Sequence, residues 1–163
     1  MPKRKISFNY LFLKVGDLEQ PIEGVLNKVL NYIISKDKVN RKQDVNNDKF
    51  AFLDSFDYDT TSQYHTMQLL FKSAKHSYRA PLLDKNTAEA RENPKTMSEG
   101  EQMKTHLLIK IKDGDAILFL ETGNSMLTCL NIINYLNIAL LSYNSQFDED
   151  EENIIEGEFS FDM

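Results

Sequence analysis

The stretch from Met103 to Tyr143 constrains the fold most. Lys104–Lys112 alternates polar and apolar side chains, Asp113-Gly114-Asp115 interrupts it, and Ala116–Glu121 resumes an apolar run. A second break at Thr122–Ser125 opens the long apolar segment Met126–Leu141. Alternation with a period of two predicts strands, and Asp-Gly between two such runs favours a two-residue hairpin turn because glycine accepts positive φ. The last segment is too long for a strand and predicts a helix, with Asn124 or Ser125 as its cap. Strand, tight turn, strand, helix is therefore the expected core, and no catalytic motif lies within it.

Upstream, Lys5–Val15 reads as a strand with Ile6, Phe8, Tyr10 and Phe12 on one face and Leu11 and Leu13 on the other. After Gly16-Asp17, Ile22, Val25, Leu26, Val29, Leu30 and Ile33 recur every three or four residues, one stripe of an amphipathic helix ending near Lys36. Asp37–Lys49 is polar and reads as an exposed loop. Phe50–Tyr58 and Gln63–Ala74 read as two further strands. Residues 78–101 hold Pro81, Pro94 and Gly100 without a clear period, with a helical turn expected near Thr87–Arg91. A loop of that length in a compact chain is a candidate contact surface.

This order predicts an α+β fold, a mainly antiparallel sheet with two helices on one face. It reduces to the ferredoxin-like βαββαβ plan with an added hairpin. At 163 residues and 41% hydrophobic side chains, one folded domain over residues 1–147 is expected. Residues 148–163 read as an acidic linker with a candidate last strand at Ile154–Phe161. They hold eight acids and no Lys or Arg, so the remainder carries 19 basic residues against 17 acidic ones despite the net charge of −6. A locally basic surface is thus compatible with a low overall pI.

Neither a signal-peptide block nor a run approaching the roughly 20 apolar residues of a membrane span occurs, so no membrane partner and a cytoplasmic protein are expected. The single cysteine, Cys129, falls in the apolar helix and reads as a small core residue.

Chemistry is sparse. GxSxG, Walker, GxGxxG and HExxH motifs are absent. His65, His76 and His106 lack metal-ligand spacing, so no metal, cofactor or catalytic residue is assigned. Asp57 and Asp59, with a histidine, are the only candidates for a metal-dependent nuclease, and they read more simply as polar residues closing a strand. The basic residues Lys38, Arg41 and Lys42 in the polar loop, and Lys72, Lys75 and Arg79 near the third strand's end, are candidate nucleic-acid contacts. Lys3, Arg4 and Lys5 could extend them. Aromatic residues such as Phe8, Phe12, Tyr64 and Phe71 either stack bases on an open sheet or fill the core. An RNA-recognition glycine motif is missing from Met67–Ala74.

The runs Leu107–Gly123 (LLIKIKDGDAILFLETG) and Asn131–Asn137 (NIINYLN), following an N-terminal strand, a helix and a polar loop, resemble RexA-like phage-exclusion and prophage-associated bacterial proteins. The resemblance implies a role in phage defence or prophage biology through DNA binding, and no catalytic residue transfers with it. The expectation is a non-enzymatic binding module contacting DNA, RNA or a protein partner. Its first rival is a protein-only interaction module that self-associates through Met126–Leu141 and carries an acidic tail.

Overall fold

The computed structural model describes residues 3–147 and 151–162. Its strands are β1 (Lys5–Val15), β2 (Leu18–Gln20), β3 (Gln43–Asn46), β4 (Lys49–Asp59), β5 (His65–Lys75), β6 (Leu82–Leu83), β7 (Ala90–Arg91), β8 (Met103–Lys112), β9 (Asp115–Thr122) and β10 (Glu158–Asp162). The helices are α1 (Glu23–Ser35), α2 (Lys38–Arg41) and α3 (Cys129–Asn144). The main sheet runs β10-β1-β9-β8-β5-β4-β3, with β2 beside β1, and every pair in it is antiparallel. β6 and β7 form a separate ribbon within the 78–101 loop.

The ferredoxin-like expectation is overturned. In that plan one strand stands between the two strands that a helix connects. Here β9, β8, β5 and β4 all separate β1 from β3, the strand that follows the first helices. The protein is a curled antiparallel seven-strand half-barrel with three helices. What looked like one surplus hairpin is an integral part of the sheet's middle. The polar segment expected to be loop supplies both α2 and the edge strand β3.

Alternation decides which side is core. Leu11 and Leu13 of β1, Leu53 of β4, Met67, Leu69 and Phe71 of β5, Leu107, Ile109 and Ile111 of β8, and Leu118 and Leu120 of β9 are buried together. They pack with Leu26, Val29, Leu30 and Ile33 of α1 and with Ile132, Tyr135, Leu136 and Leu140 of α3. A bulge in β4 between Leu53 and Ser55 shifts the inward-facing parity, so that Phe56 and Tyr58 pack against the core. The β8–β9 turn consists of Asp113 (φ 52°) and Gly114 (φ 90°), the two positive-φ positions of a type I′ hairpin.

α3 starts later than the apolar run. Thr128, rather than Asn124 or Ser125, is the cap. Its Oγ1 accepts from Asn131 N–H (3.2 Å), while Asn131 Oδ1 accepts from Thr128 N–H (3.0 Å). The helix also bridges the two margins of the sheet. Gln43 of β3 donates to the Tyr135 carbonyl (3.0 Å), and Asn137 bonds both backbone groups of Phe159 in β10. The chain after the acidic run thus returns as a strand, Phe159 opposite Leu13 of β1. Of the expected acidic linker, residues 148–150 lie outside the described residues. Among the described residues, no helix is long and apolar enough to cross a membrane.

Candidate functional site

The sheet face opposite the helices is the most distinctive surface. β1 turns Ile6, Phe8 and Tyr10 outward, and they are 61%, 67% and 56% exposed. Register then extends the surface across the sheet. Phe8 lies opposite Phe119 of β9, Phe119 opposite Leu108 of β8, and Leu108 opposite Gln68 of β5. A second row reads Tyr10, Ile117, Lys110, Thr66. The Phe8 and Phe119 rings sit 6.3 Å apart with a 54° tilt. A shallow trough of about 630 Å³ runs between Arg4, Ile6, Leu108, Phe119, His106 and Glu121.

Charge frames this apolar strip. Lys104, His106, Lys110 and Lys112 are exposed on β8, and the even-numbered positions of that strand all face outward. The ammonium groups of Lys110 and Lys112 lie 5.7 and 5.2 Å from the centre of the Tyr64 ring, forming a cation–π pair at one end. At the other end Glu121 holds Arg4 (2.9 Å) and His106 (3.2 Å). Lys104, Lys110 and Lys112 make no ion pair among the described residues.

The six basic residues predicted from the sequence are not brought together into one surface. Lys38 and Lys72 both pair with Asp54, at 3.1 and 3.2 Å, beside the β4 bulge. Burial disfavours the charged carboxyl of Asp54, but the hydrogen bonds and charges of the two lysines outweigh it and hold the group below its ordinary range. Lys72 stands opposite Phe52 and Lys104, on the flank of the outer face. Lys42 lies 6.0 Å over the Phe50 ring. Arg41 points at backbone: it donates to the carbonyls of Lys36 (2.8 Å), Ile34 (2.9 Å), Asp54 (3.2 Å) and Leu53 (3.3 Å), tying the end of α1 to β4. Lys75 ends β5 beneath the 78–101 loop, whereas Arg79 is an exposed residue of that loop and donates to the Lys95 carbonyl (3.4 Å).

The candidate carboxylates do not converge. Asp59 is engaged by the N–H (2.8 Å) and hydroxyl (2.7 Å) of Thr61, and Asp57 is exposed. His65 pairs instead with Glu23 of α1, which also accepts from the Tyr58 hydroxyl. His76 bonds Ser77, and His106 bonds Glu121. Among the described residues, no group of three His, Cys, Asp or Glu is placed to hold a metal ion. Burial pushes the Cys129 thiol up to about 11, which leaves it protonated and unreactive near neutrality.

Lys104, Lys110 and Lys112 are contact candidates that sequence reasoning passed over. Their spacing of two from His106 outward was the available cue, a polar stripe on a strand whose other face is buried. No protein-family model, curated protein or solved structure matches the chain.

Proposed function

We propose that the chain is a non-enzymatic module that binds single-stranded nucleic acid across the outer face of its sheet. The observation that carries this reading is the exposure of Ile6, Phe8 and Tyr10 side by side, next to Phe119 and framed by the ammonium groups of Lys104, Lys110 and Lys112. A folded protein in water rarely leaves adjacent aromatic and aliphatic side chains this open without a partner. Aromatic rings stack on any base, and lysines around them neutralise phosphates, which is how sequence-tolerant single-strand platforms work. A duplex offers its phosphates but not its base faces, so single strands are the better fit. The resemblance of Leu107–Gly123 and Asn131–Asn137 to phage-exclusion proteins supports a setting in phage defence.

The test is fluorescence anisotropy with labelled single-stranded and duplex oligonucleotides at low and moderate salt. Salt-sensitive binding that favours the single strand supports the reading. No binding at low salt overturns it.

A second reading has its own observation. Leu130, Ile138 and Leu141 of α3 are exposed on the helix's outer side, where a second protein surface would cover them. If self-association rather than nucleic acid is the function, light scattering shows a mass above the monomer, and Ile138→Glu with Leu141→Glu returns it to the monomer value.

A further inference from the structure

The end of the sheet where β4 begins and β5 finishes contains a feature that nucleic-acid stacking does not use. Lys49 opens β4 and is only 7% exposed, an unusual position for a lysine. Its ammonium donates to the Ser125 carbonyl at 2.8 Å, and that is its one hydrogen bond among the described residues, though an ammonium has three to give. No carboxylate lies within ion-pair distance of it among the described residues. Lys75 is its direct partner in the β4–β5 register. Burial and the neighbouring charge of Lys75 push the Lys49 ammonium down, with Asp48 opposing them. A buried, incompletely bonded cation beside a second cation lacks its counter-charge.

Space for that counter-charge is present. Lys49 and Lys75 line a cavity of about 300 Å³ together with Lys95, Tyr78, Asn93 and Glu101. Its roof is the 78–101 loop, held by Ser77 N–H to the Met97 carbonyl (2.7 Å) and by the approach of Gly100 to Lys75, where any Cβ would come within 1.9 Å of the Lys75 carbonyl oxygen. Three lysines against one glutamate leave two positive charges in surplus, which matches a dianion better than a single carboxylate. The volume sits at the small end of the range of about 300–1,000 Å³ typical of small-molecule sites.

We propose that this cavity binds a phosphate monoester or inorganic phosphate, with Lys49 as its floor and Lys75 and Lys95 as its walls. The site is separate from the Phe8 platform and does not depend on it. The phosphate could be a free small molecule or the 5′ end of a nucleic-acid strand, and both present the same dianion.

The experiment is calorimetric titration of the full chain with inorganic phosphate, adenosine monophosphate and adenosine, in a buffer free of competing anions. Phosphate and the monophosphate bind, and adenosine does not. Lys49→Met keeps the stem and removes the ammonium; it weakens phosphate binding by about tenfold or more, as loss of a charge-assisted hydrogen bond does. Lys75→Met and Lys95→Met are the second set, which stands if the Lys49 variant fails to fold, and each weakens binding. Phosphate that does not bind the wild-type chain, or that binds the folded lysine variants equally well, overturns the proposal. Oligonucleotides with 5′-phosphate and 5′-hydroxyl ends separate the sources. A gain from the 5′-phosphate that Lys75→Met removes assigns the strand terminus, and phosphate binding without that gain assigns a free ligand. Phe8→Ala leaves phosphate affinity unchanged, so failure of the stacking platform and failure of this cavity are read independently.

Discussion

Asn137 of α3 and Phe159 of β10 form a reciprocal amide pair. Asn137 Nδ2 donates to the Phe159 carbonyl at 3.0 Å, and its Oδ1 accepts from the Phe159 N–H at 2.7 Å. The side chain therefore imitates a neighbouring strand for one residue. Two helical turns on, Asn144 does the same for Ile155, at 2.8 and 3.0 Å. Asn137→Ala leaves two part-buried backbone groups unpaired and should cost about 1–3 kcal/mol of stability. The check is urea unfolding, in which the midpoint falls with little change in slope. Asn137→Asp keeps the acceptor and loses the donor, and should fall between the two.

Tyr135 secures the opposite margin. Its hydroxyl donates to the Arg41 carbonyl (2.6 Å) and accepts from the Leu53 N–H (3.1 Å), while its ring meets Phe71 edge-on. Tyr135→Phe retains the packing and strands both backbone groups, a loss of about 1–3 kcal/mol. Thermal unfolding of the variant checks it, and an unchanged midpoint would refute it.

Acid should destabilise the fold in a defined window. The carboxyls of Asp54 and Glu23 both lie below their ordinary values of 3.8 and 4.5. Burial opposes the charged form at each, and is outweighed by Lys38 and Lys72 at the first and by Tyr58 and His65 at the second. A depressed carboxyl binds its proton more readily in the unfolded chain. Its stabilising contribution is complete above the ordinary value and disappears as pH falls through the folded one. Urea midpoints measured from neutral pH downward should drop below about pH 4 for the wild type. They should drop less for Asp54→Asn, which starts lower because Lys38 and Lys72 have lost their anion.

The outer face makes a separable prediction. Phe8 is mostly exposed, so Phe8→Ala should leave stability within about 0.5 kcal/mol of wild type. If bases stack there, single-strand affinity falls by about 1–3 kcal/mol. Lys110→Gln and Lys112→Gln should instead flatten the dependence of affinity on salt, by about one unit of slope for each phosphate left without its lysine. Anisotropy at three salt concentrations distinguishes the two effects.

Gly100 is a test of the loop. A methyl group there meets the Lys75 carbonyl oxygen at 1.9 Å and Ala74 Cβ at 2.9 Å. Gly100→Ala should lift the 78–101 segment off β5, seen as faster limited proteolysis between Arg79 and Lys95, with the β8–β9–α3 core still folded.

The parts of the fold legible in the sequence are those in which one short-range rule dominates. Lys5–Val15, aromatic and branched with roughly alternating polarity, is a strand over those residues. Asp113-Gly114 is a turn because its backbone demands positive φ. The α1 stripe is buried as its spacing predicts. The misreadings come from long-range partners. Gln43–Asn46 has no apolar pattern and becomes a strand because the start of β4 lies beside it. Thr128 caps α3 because there Asn131 reaches back to it. The basic residues were legible as charge but not as position: nothing local shows that Arg41 points at four carbonyls, or that Lys38 and Lys72 share Asp54. Lys49 was hidden for the same reason, since its burial depends on Ser125 and on a loop far downstream in the chain.

The place of β1 in the sheet also governs the order in which the chain can fold as it is made. Lys5 accepts a hydrogen bond from Thr122, 117 positions later, and Tyr10–Lys14 pair with Glu158–Asp162. Among the described strands β1 is made before all the others, yet β9 and β10, which flank it in the sheet, are made last. Until β9 emerges, only the short β2 can pair with β1, along Leu13–Val15, and Leu11 lacks its sheet neighbour, while β4 and β5 can already pair with each other. Synthesis thus produces a long interval in which most of an apolar strand is unpaired, a situation that exposes a nascent chain to aggregation.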